Sequence, residues 1–234
     1  PDGARAGLAE NERFLRAGGR GLVGVHAAFT CSDDTLEAAA ALAADQGVGV
    51  HIHVAEATVD AGSVARLRPL ATGAWVLVHG VHLPDDHGLA GTIVHNPRSN
   101  MNNAVGYARP ARFPESPTAN PVALGTDGIG ADLLEEFRVA FARHREDDVT
   151  ASADTAWSWV EQGWELFPEA REDRVTWSYT PMEPWRLAYT TDVRATRVEV
   201  DGEVVLADGR PTRVDAEEIR ARAAEQAARL FARL

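Results

Sequence analysis

The chain has 234 residues, of which 45% are hydrophobic and 25% charged, and a formal net charge of −12. That length can bury a sizeable core, in one large domain or two small ones. The negative balance argues against a nucleic-acid backbone or an anionic membrane surface as partner, and the lone cysteine, Cys31, excludes an intrachain disulfide framework and a thiolate zinc cluster.

Taken in chain order, residues 4–18 read as a helix ended by Gly18-Gly19, and residues 21–27 as the first strand. Ser32-Asp33-Asp34 caps an alanine-rich helix over 35–45, Gly47 stops it, and a strand follows at 48–54. Residues 58–70 are helix-like, 75–79 and 92–95 are strands, and 96–121 is loop chemistry with one helical turn near 101–104. A strand at 122–126 and a helix at 133–145 complete a β-α alternation, which implies right-handed parallel crossovers and an α/β sheet or barrel. Beyond residue 150, Trp157, Trp159, Trp164, Trp177 and Trp185 crowd a stretch of weak periodicity. Residues 197–200 and 203–206 around Asp201-Gly202 then predict a β-hairpin, and Asp215 with Glu218 a capping box for a helix over 216–234. The expected domains are a metallohydrolase-barrel portion at 1–150, a Trp-rich connector at 151–195, and a hairpin-plus-helix appendage at 196–234. No apolar run is long enough to span a bilayer, and no basic, apolar leader opens the chain. Cytoplasm is therefore the expected location. Because the chain begins at Pro1 without methionine, a fragment of a longer protein is also expected.

Five apolar runs end in a histidine or an acid, at His26, at His51 and His53, at His79, at His95 and at Asp127. Side chains at the carboxyl ends of parallel strands line the active site of an α/β protein, and several imidazoles with a carboxylate there suggest a metal site. His51 and His53 alternate, so they share one face of their strand. Glu56, three residues on, can stand beside a metal ligand as a proton-transferring acid. Each residue also has a plainer role open to it. Strand histidines serve as hydrogen-bonded core, Glu56 suits a helix start, and Asp127 suits a helix cap.

In order along the chain, His53-Val54-Ala55-Glu56, His79-Gly80-Val81-His82-Leu83, His95-Asn96-Pro97-Arg98-Ser99-Asn100 and Gly125-Thr126-Asp127-Gly128 resemble the motifs of the amidohydrolase superfamily. They look like the branch that holds guanine and adenosine-type deaminases and triazine chlorohydrolases. The resemblance implies strands four to eight of a (β/α)₈ TIM-like barrel. It also implies one divalent metal, zinc or alternatively iron, and a small-molecule substrate. His53 and Asp127 would be metal ligands, and Glu56, His79 and Asp127 catalytic. His26 would contact substrate, His51 and His82 would be structural, and the Asn96–Asn100 segment would fix a turn. The implied reaction is hydrolytic deamination of an amino-heterocycle by metal-activated water, with C–Cl hydrolysis as a variant. Members of the branch carry a His-x-His on the first barrel strand that supplies two further ligands, and this chain has no such strand before residue 21. The alternative is therefore a non-catalytic remnant or an assembly module, and a homo-oligomer stays open.

Overall fold

Apolar runs of four or five residues are too short for stable helices but suffice for strands buried on both faces. In the computed structural model, which describes residues 2–233, those runs become a parallel sheet. The chain divides after Gly163 into two compact units.

In the first unit, α1 (Asp2–Arg16) precedes β1 (Val23–Ala27), α2 (Asp33–Asp45), β2 (Val50–Val54), α3 (Thr58–Ala61), β3 (Val76–His79) and β4 (Thr92–His95). Then come α4 (Pro97–Asn102), β5 (Val122–Leu124), α5 (Leu133–Asp147) and α6 (Ala153–Leu166), the last crossing the boundary between units. The five strands pair in sequence order, every neighbour parallel, with β1 and β5 at the edges of a sheet that does not close. Consecutive parallel neighbours are the connectivity of a barrel wall, and the chain forms a five-stranded α/β sheet in which every strand but β3 is followed by a helix.

Ser32 caps α2 by accepting from the Thr35 N–H at 3.3 Å, and Leu36, Ala39 and Ala43 bury one face of it. Asp132 does the same for α5, accepting from the Leu134 and Glu135 N–H groups at 2.9 and 3.3 Å. Every residue of β3 is buried, as are all three of β5.

Three segments differ from the sequence expectation. The helix expected over 58–70 is reduced to α3 and a 3₁₀ turn at Val64–Arg66. Ser63 Oγ donates to the Asp60 carbonyl and to Asp60 Oδ1, both at 2.7 Å, so side chains compete with the helical ladder there. The helical turn expected near 101–104 starts earlier, at Pro97, whose fixed φ suits a first helical position. The Trp-rich stretch contains α6, which buries Ala153, Ala156 and Trp159.

The second unit is a four-stranded antiparallel sheet of β6 (Arg174–Trp177), β7 (Ala195–Val200), β8 (Glu203–Ala207) and β9 (Arg210–Pro211). The short helix α7 (Pro184–Leu187) lies between β6 and β7, and α8 (Ala216–Phe231) follows β9. The expected hairpin is present, with Asp201 and Gly202 both at positive φ (52° and 76°), the backbone a two-residue hairpin turn requires. Asp215 caps α8 through the Glu217 and Glu218 N–H groups at 2.9 and 3.1 Å. Among the described residues no helix is long and apolar enough to cross a membrane.

Candidate active site

Parallel register brings the ends of β2, β3 and β5 to one side of the sheet. Val54 lies opposite His79, and His95 opposite Leu124, three residues before Asp127. The chain turns sharply at each of these ends. Ala55 (φ 48°), His79 (φ 75°) and Asp127 (φ 50°) all occupy the left-handed region that side chains other than glycine seldom adopt. Gly80 extends the turn at φ 63°, and its N–H donates to the Val54 carbonyl at 3.0 Å. The turn after β3 is thus tied back to β2, which aims the His79 ring over the sheet end.

The His53 and His79 rings lie 5.4 Å apart, and His26 meets His53 edge-on at the same centroid distance of 5.4 Å. His79 is 1% exposed, and its Nε2 faces Glu56 Oε2 at 3.6 Å and Asp127 Oδ2 at 3.8 Å. Both separations exceed a hydrogen bond. The structure therefore brings His26, His53, Glu56, His79 and Asp127 to one end of the sheet. His26 is exposed, with Nδ1 bonded to Thr30 Oγ1 at 3.0 Å. His82 is tied to the Val105 carbonyl at 2.9 Å, away from this group.

Burial, then the neighbouring charges of His79 and His26, push the His53 imidazole below its ordinary pKa, which favours the neutral form that can ligate. The hydrogen bond from Ser99 is the main cause that holds the Asp127 carboxyl below the usual range. Ser99 Oγ donates to Asp127 Oδ2 at 2.6 Å, and the Gly128 N–H to Oδ1 at 2.6 Å, so both carboxylate oxygens are anchored.

The residues fit a divalent metal in donor type and fall short in number. Imidazole and carboxylate suit zinc or iron, and His53, favoured in its neutral form by burial, and the anchored carboxylate of Asp127 supply one of each. Among the described residues, however, no three His, Cys, Asp or Glu side chains form a metal-holding group. Catalytic zinc usually has three protein ligands.

The Asn96–Asn100 segment, expected to fix a turn, also reaches the site in the structure, together with Asn103 just beyond it. Asn100 Oδ1 lies 2.9 Å from His79 Nδ1, and Asn103 Nδ2 donates to Glu56 Oε1 at 3.2 Å. The available signal was spacing. Ser99, Asn100 and Asn103 fall within one turn once a helix starts at Pro97. Gly125 makes room for this segment, since a Cβ there would lie 2.3 Å from Asn96 Oδ1.

His95, at the end of β4, is 1% exposed and packs edge-on against Tyr107. Burial, with the charges of His79 and Arg143, pulls its pKa down to about 3. The free side chain titrates near 6.5, so between that pH and about 3 the unfolded chain binds a proton that the folded chain refuses. Stability is complete above pH 6.5 and is lost as pH falls, by up to about 1.4 kcal/mol per unit for this one group. A lower urea midpoint at pH 5 than at pH 7.5 is expected. An unchanged midpoint would mean that folded His95 accepts the proton.

Five consecutive parallel strands, four of them followed by a helix, with imidazoles and carboxylates gathered at their carboxyl ends place the chain among α/β-barrel proteins, whose working face is that end. The chain belongs to the amidohydrolase family, whose model matches residues 5–159. It is 37% identical over 153 residues to a 5-methylthioadenosine/S-adenosylhomocysteine deaminase of Syntrophomonas wolfei, a match covering 56% of this chain and 35% of the relative. A 5'-deoxyadenosine deaminase of Methanococcus maripaludis is 28% identical over 239 residues, or 85% of this chain and 56% of the relative. Among solved structures, an adenosine deaminase from Xanthomonas campestris with bound zinc superposes with a TM-score of 0.79 at 20% identity, covering 90% of this chain and 57% of that one. The zinc complex of the atrazine chlorohydrolase TrzN from Arthrobacter aurescens gives 0.69 at 22% identity, covering 87% and 54%. The chain thus spans little more than half the length of these proteins at most.

Proposed function

We propose that this chain carries the proton-transfer half of a metal-dependent aminohydrolase, which replaces the amino group of a heterocycle with oxygen. The observation that carries this reading is the meeting of Glu56, His79 and Asp127 around one imidazole nitrogen at the sheet end, in a chain of the amidohydrolase family. His53 and Asp127 would hold the metal, zinc foremost. When bound, such a metal lowers the pKa of a water to roughly 7.

The chain's own residues do the rest. Water adds at the ring carbon, a C–O bond forms, and the C–N bond breaks to release ammonia. Glu56 takes the proton that the water gives up and returns it to the departing nitrogen. His79 Nε2 faces the same space and hydrogen-bonds the attacking oxygen, while Asp127, held by Ser99, orients it. His26, exposed and beside His53, contacts the substrate ring. The names of the curated relatives make 5'-deoxyadenosine and 5-methylthioadenosine the first substrates to try.

Ammonia release from these two nucleosides by the full gene product, loaded with zinc, is the expected result. Stoichiometric metal with no ammonia from any amino-purine would sink the reading, and chloride release from a chlorotriazine would redirect it to C–Cl hydrolysis. The donor shortfall favours a second reading, in which the 234-residue chain alone is a folded, non-catalytic unit. Metal analysis of that chain separates the two, because stoichiometric zinc with turnover would remove this second reading.

A further inference from the structure

We propose that Asn100 is a positioning residue: it fixes the His79 ring with Nδ1 protonated and Nε2 presented to Glu56 and Asp127, while Ser99 and Asn103 of the same helical segment hold those two carboxylates. The catalytic consequence rests on the aminohydrolase reading above; the geometric one does not.

Three side chains from α4 and its C-cap reach three different strand ends. Ser99 Oγ donates to Asp127 Oδ2 at 2.6 Å, Asn100 Oδ1 meets His79 Nδ1 at 2.9 Å, and Asn103 Nδ2 donates to Glu56 Oε1 at 3.2 Å. Their spacing of i, i+1 and i+4 lets one helical segment present all three. Each residue of the candidate triad is thereby gripped by this one short element.

The grip on His79 selects a ring nitrogen. A carbonyl oxygen can only accept, so the 2.9 Å contact requires a proton on Nδ1. In a neutral imidazole Nε2 is then the lone pair, and it is the nitrogen that faces the carboxylates. At its far end the Asn100 Nδ2 lies 3.5 Å from Nδ1 of the fully buried His95, at the outer limit of a hydrogen bond. Held neutral by burial, His95 can accept there. The competing contact, Asn96 Nδ2 to His79 Nδ1, is longer at 3.4 Å and would need the opposite tautomer. A second grip keeps α4 in place: Glu136, wholly buried on α5, accepts from the Arg98 N–H at 3.2 Å and from Arg98 Nε at 2.6 Å.

Nitrogen-15 imidazole spectra of the 234-residue chain at pH 8 test the tautomer directly. The expected wild-type spectrum has His79 with a pyrrole-type Nδ1 and a pyridine-type Nε2. The reverse assignment overturns the proposal without any variant. Asn100→Leu should shift the ring toward the reverse pattern, since Asn96 Nδ2 at 3.4 Å is then the contact left to Nδ1, and Asn100→Asp, which keeps an accepting oxygen in the same place, should restore the wild-type pattern. An Asn100→Leu variant that folds and keeps that pattern also overturns it. In the full gene product, Asn100→Leu is expected to lower kcat about tenfold or more with KM nearly unchanged, because losing the partner that orients a site imidazole typically costs 10–100-fold. If the predicted tautomer is seen but no amino-heterocycle is turned over, the aminohydrolase reading fails and the positioning role stands. Turnover with the opposite tautomer reverses that outcome.

Discussion

Glu56→Gln in the metal-loaded full gene product is expected to retain its metal and lose turnover by about 10²–10⁴-fold, the usual worth of a positioned acid–base group. The substitution is nearly isosteric, and an amide oxygen can still accept the Asn103 bond seen at 3.2 Å. What it removes is the capacity to carry a proton next to His79 Nε2, 3.6 Å from the present carboxylate oxygen. Glu56 is not one of the proposed ligands, so metal content should match wild type when both are measured on the same preparation. Near-normal kcat would take Glu56 out of the mechanism. Loss of metal along with activity would instead make it a ligand.

Arg98→Ala is expected to be the most destabilising of the substitutions considered, at about 3–5 kcal/mol. Glu136 is 0% exposed, and Arg98 supplies both its guanidinium bond at 2.6 Å and a backbone N–H bond at 3.2 Å. Without the guanidinium, among the described residues the backbone amide of residue 98 alone is left to satisfy this interior carboxylate, and breaking a buried pair from one side costs that much. Urea unfolding of the 234-residue chain measures the loss, and a change below about 1 kcal/mol would show that the pair contributes little. Replacing both partners, as Arg98→Met with Glu136→Leu, should recover part of it, since an apolar pair leaves no orphaned charge but does take the acceptor from the backbone N–H of residue 98. Amide exchange in α4 should quicken in Arg98→Ala, because the clamp that holds its first turn is gone.

The parallel strands were legible because burial on both faces leaves nearly continuous apolar runs, as in Val76-Leu77-Val78 and Val122-Ala123-Leu124. Polar residues at the ends of such runs marked the rim, which is why His53, Glu56, His79 and Asp127 could be picked out before any geometry was known. The helix α4 was harder to read. Its residues Pro97, Arg98, Ser99, Asn100, Met101 and Asn102 look like a turn, since serine and asparagine favour local side-chain bonds over helical ones. Pro97 opens it, and Glu136, 38 residues later in sequence, anchors its first turn. A long-range bond of that kind leaves no local trace. The same limit hid the roles of Ser99 and Asn103, whose partners lie 28 and 47 residues away. In the second unit, β6 pairs with β7 through a bulge, and its residues Arg174, Val175 and Thr176 are exposed, so no alternating pattern announced it.

The left-handed strand ends bear on how the protein can evolve. Holding Ala55, His79 and Asp127 at positive φ costs on the order of 1–3 kcal/mol each, and glycine would relieve most of it. Selection for heat resistance alone would therefore favour glycine at Ala55. At Ala55 nothing but a methyl group would be given up. At His79 and Asp127 the same step would delete a buried imidazole and an anchored carboxylate and leave Asn100 and Ser99 without those partners, so their contacts constrain both positions to keep a strained residue. A sequence of this fold that drifts to glycine at 79 or 127 would record the moment at which that constraint was released.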